Sequence, residues 1–310
     1  MDAQRSLRRQ VSCVGIGLHS GNKVNLTLKP APADFGIRFR RTDLGHREVP
    51  ATVDNLGGIQ LATGLARNEV SVETVEHLLA ALVSTGIDNV LIELNSPEVP
   101  IMDGSAAPFV YLIQEAGVKR LTAPRTYLKI IRPIALSRGD KRIALYPSDR
   151  FKVTYSISYD HPLLRHQSRT LRITEESFIE EIAPARTFTF LKDVEMLRQN
   201  GLALGGSLDN AIVLGNSGAL NGLRFNDEFV RHKILDLLGD LALLGRPVGA
   251  HVIARNGGHA LNLELVQAVQ RAVGFERRAA ATVSAAATEE AARDTARREG
   301  LVPAPGLAAI

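Results

Sequence analysis

The 310-residue chain has no tryptophan, few aromatic residues of any kind (5%) and a single cysteine. One cysteine, Cys13, excludes an intrachain disulfide and any cysteine-rich zinc site. It also suits a reducing compartment. Nucleic-acid binders more often concentrate a basic face with stacking aromatics. Here the formal net charge is only +4, much of it in short runs such as Arg38, Arg40, Arg41 and Arg277, Arg278. That mild excess fits phosphate on a small substrate, or an anionic membrane surface, better than nucleic acid. No apolar run approaches the ~20 residues of a spanning helix. Met1 to Arg9 are charged and lack the apolar core of a signal peptide. The expectation is a cytoplasmic protein that meets any membrane-derived substrate from the aqueous side.

What is present is enough apolar material for a core: 45% hydrophobic residues beside 23% charged. Val24, Leu26 and Leu28 alternate with polar residues, as do Phe35, Ile37 and Phe39, and both runs read as half-buried strands. Glu73 to Val83 reads as a helix and Asn89 to Leu94 as an apolar strand. Ser105 to Ala116 reads as a second helix stopped by Gly117. Lys119 to Arg125 is polar, contains a proline and reads as a linker. Strands over Leu128 to Leu136, Arg142 to Tyr146 and Lys152 to Tyr159 follow. Next come helices over Glu175 to Ile182 and Asp227 to Leu244, a strand over Val248 to Ala254 and a helix over Leu261 to Val273. The class is α+β. Two similar halves, residues 1–122 and 126–275, each carry an antiparallel sheet with packed helices. The Ala-rich stretch 276–310 is expected to be a frayed helix or disordered.

Three segments carry candidate chemistry. Along Phe225 to Leu244, Glu228, His232, Asp236 and Asp240 recur every four residues and form one polar stripe on an otherwise apolar helix. The stripe could be an ordinary solvated face. Alternatively, His232 and Asp236 could chelate one metal from adjacent turns, a nitrogen-plus-carboxylate set that suits zinc. Glu76 and His77 sit side by side in Thr74-Val75-Glu76-His77-Leu78 and could supply a general base and a third ligand. Arg255-Asn256-Gly257-Gly258-His259-Ala260 ends a strand and opens a helix. A cationic His259 there opposes the helix dipole, so it would need a carboxylate partner, for which Asp240 is the candidate.

These segments resemble the UDP-3-O-acyl-N-acetylglucosamine deacetylase family, zinc enzymes of the committed step of lipid A synthesis in Gram-negative bacteria. The resemblance also rests on Gly15-Ile16-Gly17-Leu18-His19-Ser20-Gly21, on Pro100 to Phe109, and on Ala185-Arg186-Thr187-Phe188. Leu204-Gly205-Gly206-Ser207, Phe229 to Asp236 and Gly258-His259-Ala260 complete it. The motifs stand in the family's order over roughly residues 5 to 270. The resemblance implies that His77, His232 and Asp236 bind one zinc, with ferrous iron as the alternative ion for the same donors. It implies Glu76 as general base, His259 as general acid with Asp240 behind it, and Thr187 at the oxyanion. Lys233 and His19 are implied to lie near substrate and metal. The implied fold is two α+β halves facing each other, each with a small insert.

The second insert is implied to form an acyl-chain passage lined by Phe188, Leu191, Val194, Ala203, Gly206, Ser207, Ala211 and Val213. Candidates for the UDP group are Lys141, Tyr159, Asp160 and Arg255. The implied partner is a UDP-linked acylated amino sugar, with no nucleic acid and no membrane span, a loose membrane-surface association at most, and a monomeric chain. Two departures stand out: Val70 to Glu73 is shorter than in the family, and Thr189 replaces a glycine. Rival readings are a metal hydrolase of another acylated sugar or peptide, a non-catalytic module binding nucleotide sugars or RNA, and a structural protein with a decayed site.

Overall fold

The computed structural model describes residues 2–58 and 62–273, so the expectation for residues 276–310 lies outside the described residues. The first region opens with β1 (Ala3–Leu7), β2 (Val11–Ile16), β3 (Lys23–Pro30), β4 (Ile37–Arg41) and β5 (Arg47–Pro50). It continues with β6 (Leu65–Arg67), β7 (Val70–Val72), α1 (Glu76–Ser84), β8 (Val90–Leu94), α2 (Ala107–Ala116) and β9 (Val118–Pro124). The second has β10 (Leu128–Lys129), β11 (Ile134–Arg138), β12 (Lys141–Pro147), β13 (Lys152–Ile157) and β14 (Gln167–Arg172). Then come α3 (Glu175–Ser177), β15 (Phe188–Phe190), α4 (Leu191–Gln199), β16 (Ile212–Leu214), α5 (Glu228–Ala242) and β17 (Val248–Arg255). A last helix, α6, covers residues 259–273.

The two regions repeat one topology. The first sheet runs β2-β3-β8-β4-β5 and the second β11-β12-β17-β13-β14. In each, the late strand that follows a buried helix (β8 after α1, β17 after α5) inserts centrally. It pairs antiparallel on one side and parallel on the other. The architecture is α+β with mostly antiparallel sheets, and α1 packs against α5. Each region also carries a two-stranded insert, β6–β7 in the first and β15–β16 in the second.

The alternation in β3 buries Val24, Leu26 and Leu28 completely, as its period of two requires. α1 is buried from Glu76 to Leu82, so this helix is enclosed on all sides. It begins three residues later than the sequence predicts, because Thr74 adopts a left-handed backbone (φ 56°) just before it. α2 starts with Pro108 in its first turn and stops at Gly117, whose φ of 68° a side chain would resist.

Two expectations are corrected. Lys119 to Arg125 is not a linker: β9 pairs antiparallel with β1 at the edge of the molecule. The single strand expected over Leu128 to Leu136 is two, β10 and β11. β10 pairs parallel to β17, while β11 forms a hairpin with β12.

Candidate functional site

α5 decides between the two readings of its polar stripe. Glu228, His232, Asp236 and Asp240 are each no more than 2% exposed, so the stripe faces protein and not water. It faces α1. Gly239 allows the crossing, since a Cβ there would run into the backbone carbonyl of Glu76. The close approach sets Glu76 and His77 of the first region against His232, Asp236 and Asp240 of the second.

His77, His232 and Asp236 bring three donor atoms within 4.8 Å of one another. His232 Nε2 lies 3.3 Å and His77 Nε2 3.7 Å from Asp236 Oδ1. His232 Nδ1 is 3.0 Å from the Ala185 carbonyl, so it carries the proton and leaves Nε2 as the lone-pair donor. Burial pushes His232 down to about 3, which Asp236 offsets only in part, and the ring is neutral as a metal ligand must be. Asp236 is held well below the usual carboxylate range. Burial opposes its charge, but Lys233 and the nearby histidines outweigh it, with Lys233 Nζ 2.8 Å away. Two imidazoles and one carboxylate, all buried, fit a single divalent ion such as zinc.

Beside this cluster stand the Glu76 carboxylate and the His259 imidazole. Burial pushes Glu76 above its ordinary range, against the pull of His259 and His77. Burial also opposes charge on His259, but Asp240, Asp236 and Glu76 together raise it to about 10. His259 opens α6 with Nδ1 3.0 Å from Asp240 Oδ2 and Nε2 3.7 Å from Glu76 Oε1. The imidazole thus turns one nitrogen to a buried carboxylate and the other toward Glu76.

A cavity of about 570 Å³ opens onto these groups. Glu76, His77, His232, Lys233, Asp236, His259, Thr187 and His19 all line it. So do all eight residues expected in the passage: Phe188, Leu191, Val194, Ala203, Gly206, Ser207, Ala211 and Val213. Thr189, the glycine replacement, lines it too. Of the four UDP candidates only Tyr159 does; Lys141, Asp160 and Arg255 are exposed and lie off its wall. A second cavity of about 520 Å³, walled by Phe35, Arg125, Tyr127 and Leu238 among others, contains none of the candidate residues.

Comparison with known proteins agrees with this geometry. The model of the family described as LpxC, UDP-3-O-acyl N-acetylglycosamine deacetylase, matches residues 4–271. The chain belongs to this deacetylase family. Three curated relatives bear the name UDP-3-O-acyl-N-acetylglucosamine deacetylase. The protein of Pseudomonas entomophila (strain L48) is 49% identical over 272 residues, 86% of this chain and 90% of its own. That of Anaeromyxobacter sp. (strain Fw109-5) is 51% identical over 276 residues, 88% and 90% of the two chains. That of Methylococcus capsulatus (strain ATCC 33009 / NCIMB 11132 / Bath) is 47% identical over 304 residues, 94% and 100%. Deacetylase-family membership and the buried His77–His232–Asp236 cluster together make the protein a metal-dependent hydrolase.

Several groups to which the sequence assigned no role brace this cluster. Glu98 is buried and accepts hydrogen bonds from His19 N (2.8 Å), Ser20 N (2.9 Å), Ser20 Oγ (2.6 Å) and Thr74 Oγ1 (3.1 Å). It therefore ties the His19 loop to the turn that launches α1. Glu228, one turn ahead of His232, accepts from Arg186 N (3.0 Å), Nε (2.9 Å) and Nη2 (3.3 Å), and from Arg224 N (2.6 Å). That pair fixes residues 185–187, which carry the His232 carbonyl partner and Thr187. Thr63 and Asn262 contact Asp240. In the sequence, Glu228 showed only as the first member of the polar stripe and Glu98 only as an acidic residue two positions before Pro100; neither pattern revealed a bracing role. No helix among the described residues is long and apolar enough to cross a membrane.

Proposed function

We propose that the protein hydrolyses the N-acetyl group of UDP-3-O-acyl-N-acetylglucosamine, releasing acetate and the free sugar amine. The observation that carries this reading is one cavity whose floor is the His77–His232–Asp236 cluster and whose wall is the apolar insert. A polar centre with an apolar channel suits an amphipathic substrate: the amide at the metal, the acyl chain along Leu191, Val194 and Val213.

His77, His232 and Asp236 would hold zinc, which supplies Lewis-acid polarisation of water and carbonyl. Glu76, ionised, accepts a proton from the attacking water. The Thr187 hydroxyl donates to the oxygen that gains charge as the carbonyl becomes tetrahedral. His259, protonated through its pairing with Asp240, gives its Nε2 proton to the departing sugar nitrogen. Lys233 contacts substrate at the cavity wall and keeps Asp236 charged. His19 contributes to the wall near the centre, and Tyr159 is the UDP candidate best supported by its position.

The same reading includes a division of the chain near residues 122–126, a cytoplasmic location, a monomeric chain and no nucleic-acid partner. It also includes a loose membrane-surface association, supported by exposed Leu191, Met196, Leu204 and Leu208 around the insert. The test is acetate release from UDP-N-acetylglucosamine with and without the 3-O-acyl chain. Strong preference for the acylated form is expected. Equal turnover of both would remove the passage from the account, and no release from either would overturn the proposed reaction.

A further inference from the structure

Glu76 enters the site on α1, while Asp240 and His259 enter on α5 and α6. One small residue from outside all three helices touches both sides. Thr63 is completely buried. Its backbone N–H donates to Glu76 Oε2 at 3.1 Å. Its hydroxyl donates to Asp240 Oδ1 at 2.5 Å and lies 3.2 Å from His259 Nδ1. Its carbonyl accepts from Val75 N at 3.2 Å, which fixes it to the start of α1. The other Asp240 oxygen is engaged by Asn262 Nδ2 at 2.8 Å and by His259 Nδ1 at 3.0 Å.

Each carboxylate therefore has one oxygen committed to Thr63 and one directed at His259. With Oε2 held by the Thr63 amide, Glu76 turns Oε1 toward His259 Nε2, 3.7 Å away. With Oδ1 held by the Thr63 hydroxyl, Asp240 presents Oδ2 to the Nδ1 side of the same ring. The ring lies between two carboxylates whose orientations share one anchor.

We propose that Thr63 is a positioning residue that couples the general base to the general acid, with Asn262 as the second support of Asp240. The proposal rests on the reaction assigned above. A hydroxyl is the smallest group that can donate to Asp240 in this closed space. Valine has the same shape without the donor and leaves Asp240 Oδ1 buried and unpaired.

The test uses zinc-loaded full-length protein and the variants Thr63→Val, Thr63→Ala and Thr63→Ser. Thr63 does not bond to His77, His232 or Asp236, so bound zinc should stay at the wild-type level. Thr63→Val and Thr63→Ala should lose about 10–100-fold in kcat, the usual cost of removing a supporting partner, with KM within about twofold. Thr63→Ser should recover most of kcat, which a purely packing role would not predict. A second readout does not depend on substrate. The downfield ring N–H proton resonance of His259, assigned by its absence in His259→Ala, should shift in Thr63→Val and return in Thr63→Ser. A failure of wild-type protein to release acetate would sink the assigned reaction but leave this resonance test intact. An unmoved resonance, or a folded Thr63→Val enzyme with wild-type kcat, overturns the coupling.

Discussion

Arg186→Met removes the Arg186 side chain's buried pairing with Glu228 together with its hydrogen bond to the Gly222 carbonyl. Glu228 is 0% exposed and accepts four hydrogen bonds: two from the Arg186 side chain and two from the backbone amides of Arg186 and Arg224. Methionine fills much of the arginine's volume but removes the charge and both side-chain donors. Breaking a buried pair by removing one partner costs about 3–5 kcal/mol. The two surviving amides place this case at the lower end, roughly 3 kcal/mol. At about 2–4 °C per kcal/mol for a chain of this size, melting should fall by roughly 6–12 °C. A second effect follows from position. Arg186 lies between Ala185, whose carbonyl orients His232, and Thr187, so zinc retention against a chelator should fall about 10-fold or more. Melting the metal-free form separates the two effects, because only the packing loss remains there. Arg186→Met combined with Glu228→Gln should recover more than half of the lost stability, since the uncompensated charge is gone. An Arg186→Met protein that melts within about 2 °C of the parent and keeps its zinc would refute this reasoning.

Asp236→Ala should fold yet hold no zinc, as metal analysis of the purified variant would show; stoichiometric zinc in that variant would disprove the ligand set. Ser207→Trp should block the acylated substrate while sparing bound metal, since Ser207 lines the cavity next to Gly206; unchanged kinetics would argue against a passage there. Glu76→Ala and His259→Ala should each keep zinc and lose about 10²–10⁴-fold in rate. The pH profile of kcat/KM should be bell-shaped. It rises as Glu76 loses its proton, above the ordinary glutamate range because burial raises it. It falls as His259 loses its own proton at high pH. Burial opposes that charge, yet the surrounding carboxylates raise His259 to about 10. Loss of the falling limb in His259→Ala is the expected signature, and an unaltered bell would mean that another group donates the proton.

What could be read in advance followed the physics of periodicity. β3 showed itself because one face is buried and the other is not, so Val24, Leu26 and Leu28 alternate. β9 did not, because it lies at an edge with no fully buried residue and its composition imitates a linker. α4 escaped for the same reason: none of its nine residues is fully buried. The i,i+4 spacing of His232 and Asp236 was visible, but whether the stripe faced water or α1 depended on a contact made at Gly239 with residue 76, far away in the chain. The residues that meet at the cluster and its cavity were legible through motifs. Their supports, Thr63 on Asp240 across 177 residues and Arg186 on Glu228 across 42, follow no local pattern.

The central claim is that His77, His232 and Asp236 hold the metal on which deacetylation depends. Strip the protein of metal, reload it with one equivalent of zinc, and measure acetate release from UDP-3-O-acyl-N-acetylglucosamine at each stage. The account predicts no release from the stripped protein and recovery at one zinc per chain, with Asp236→Ala failing to recover. Full acetate release from the stripped protein, or none from the reloaded one, would contradict it.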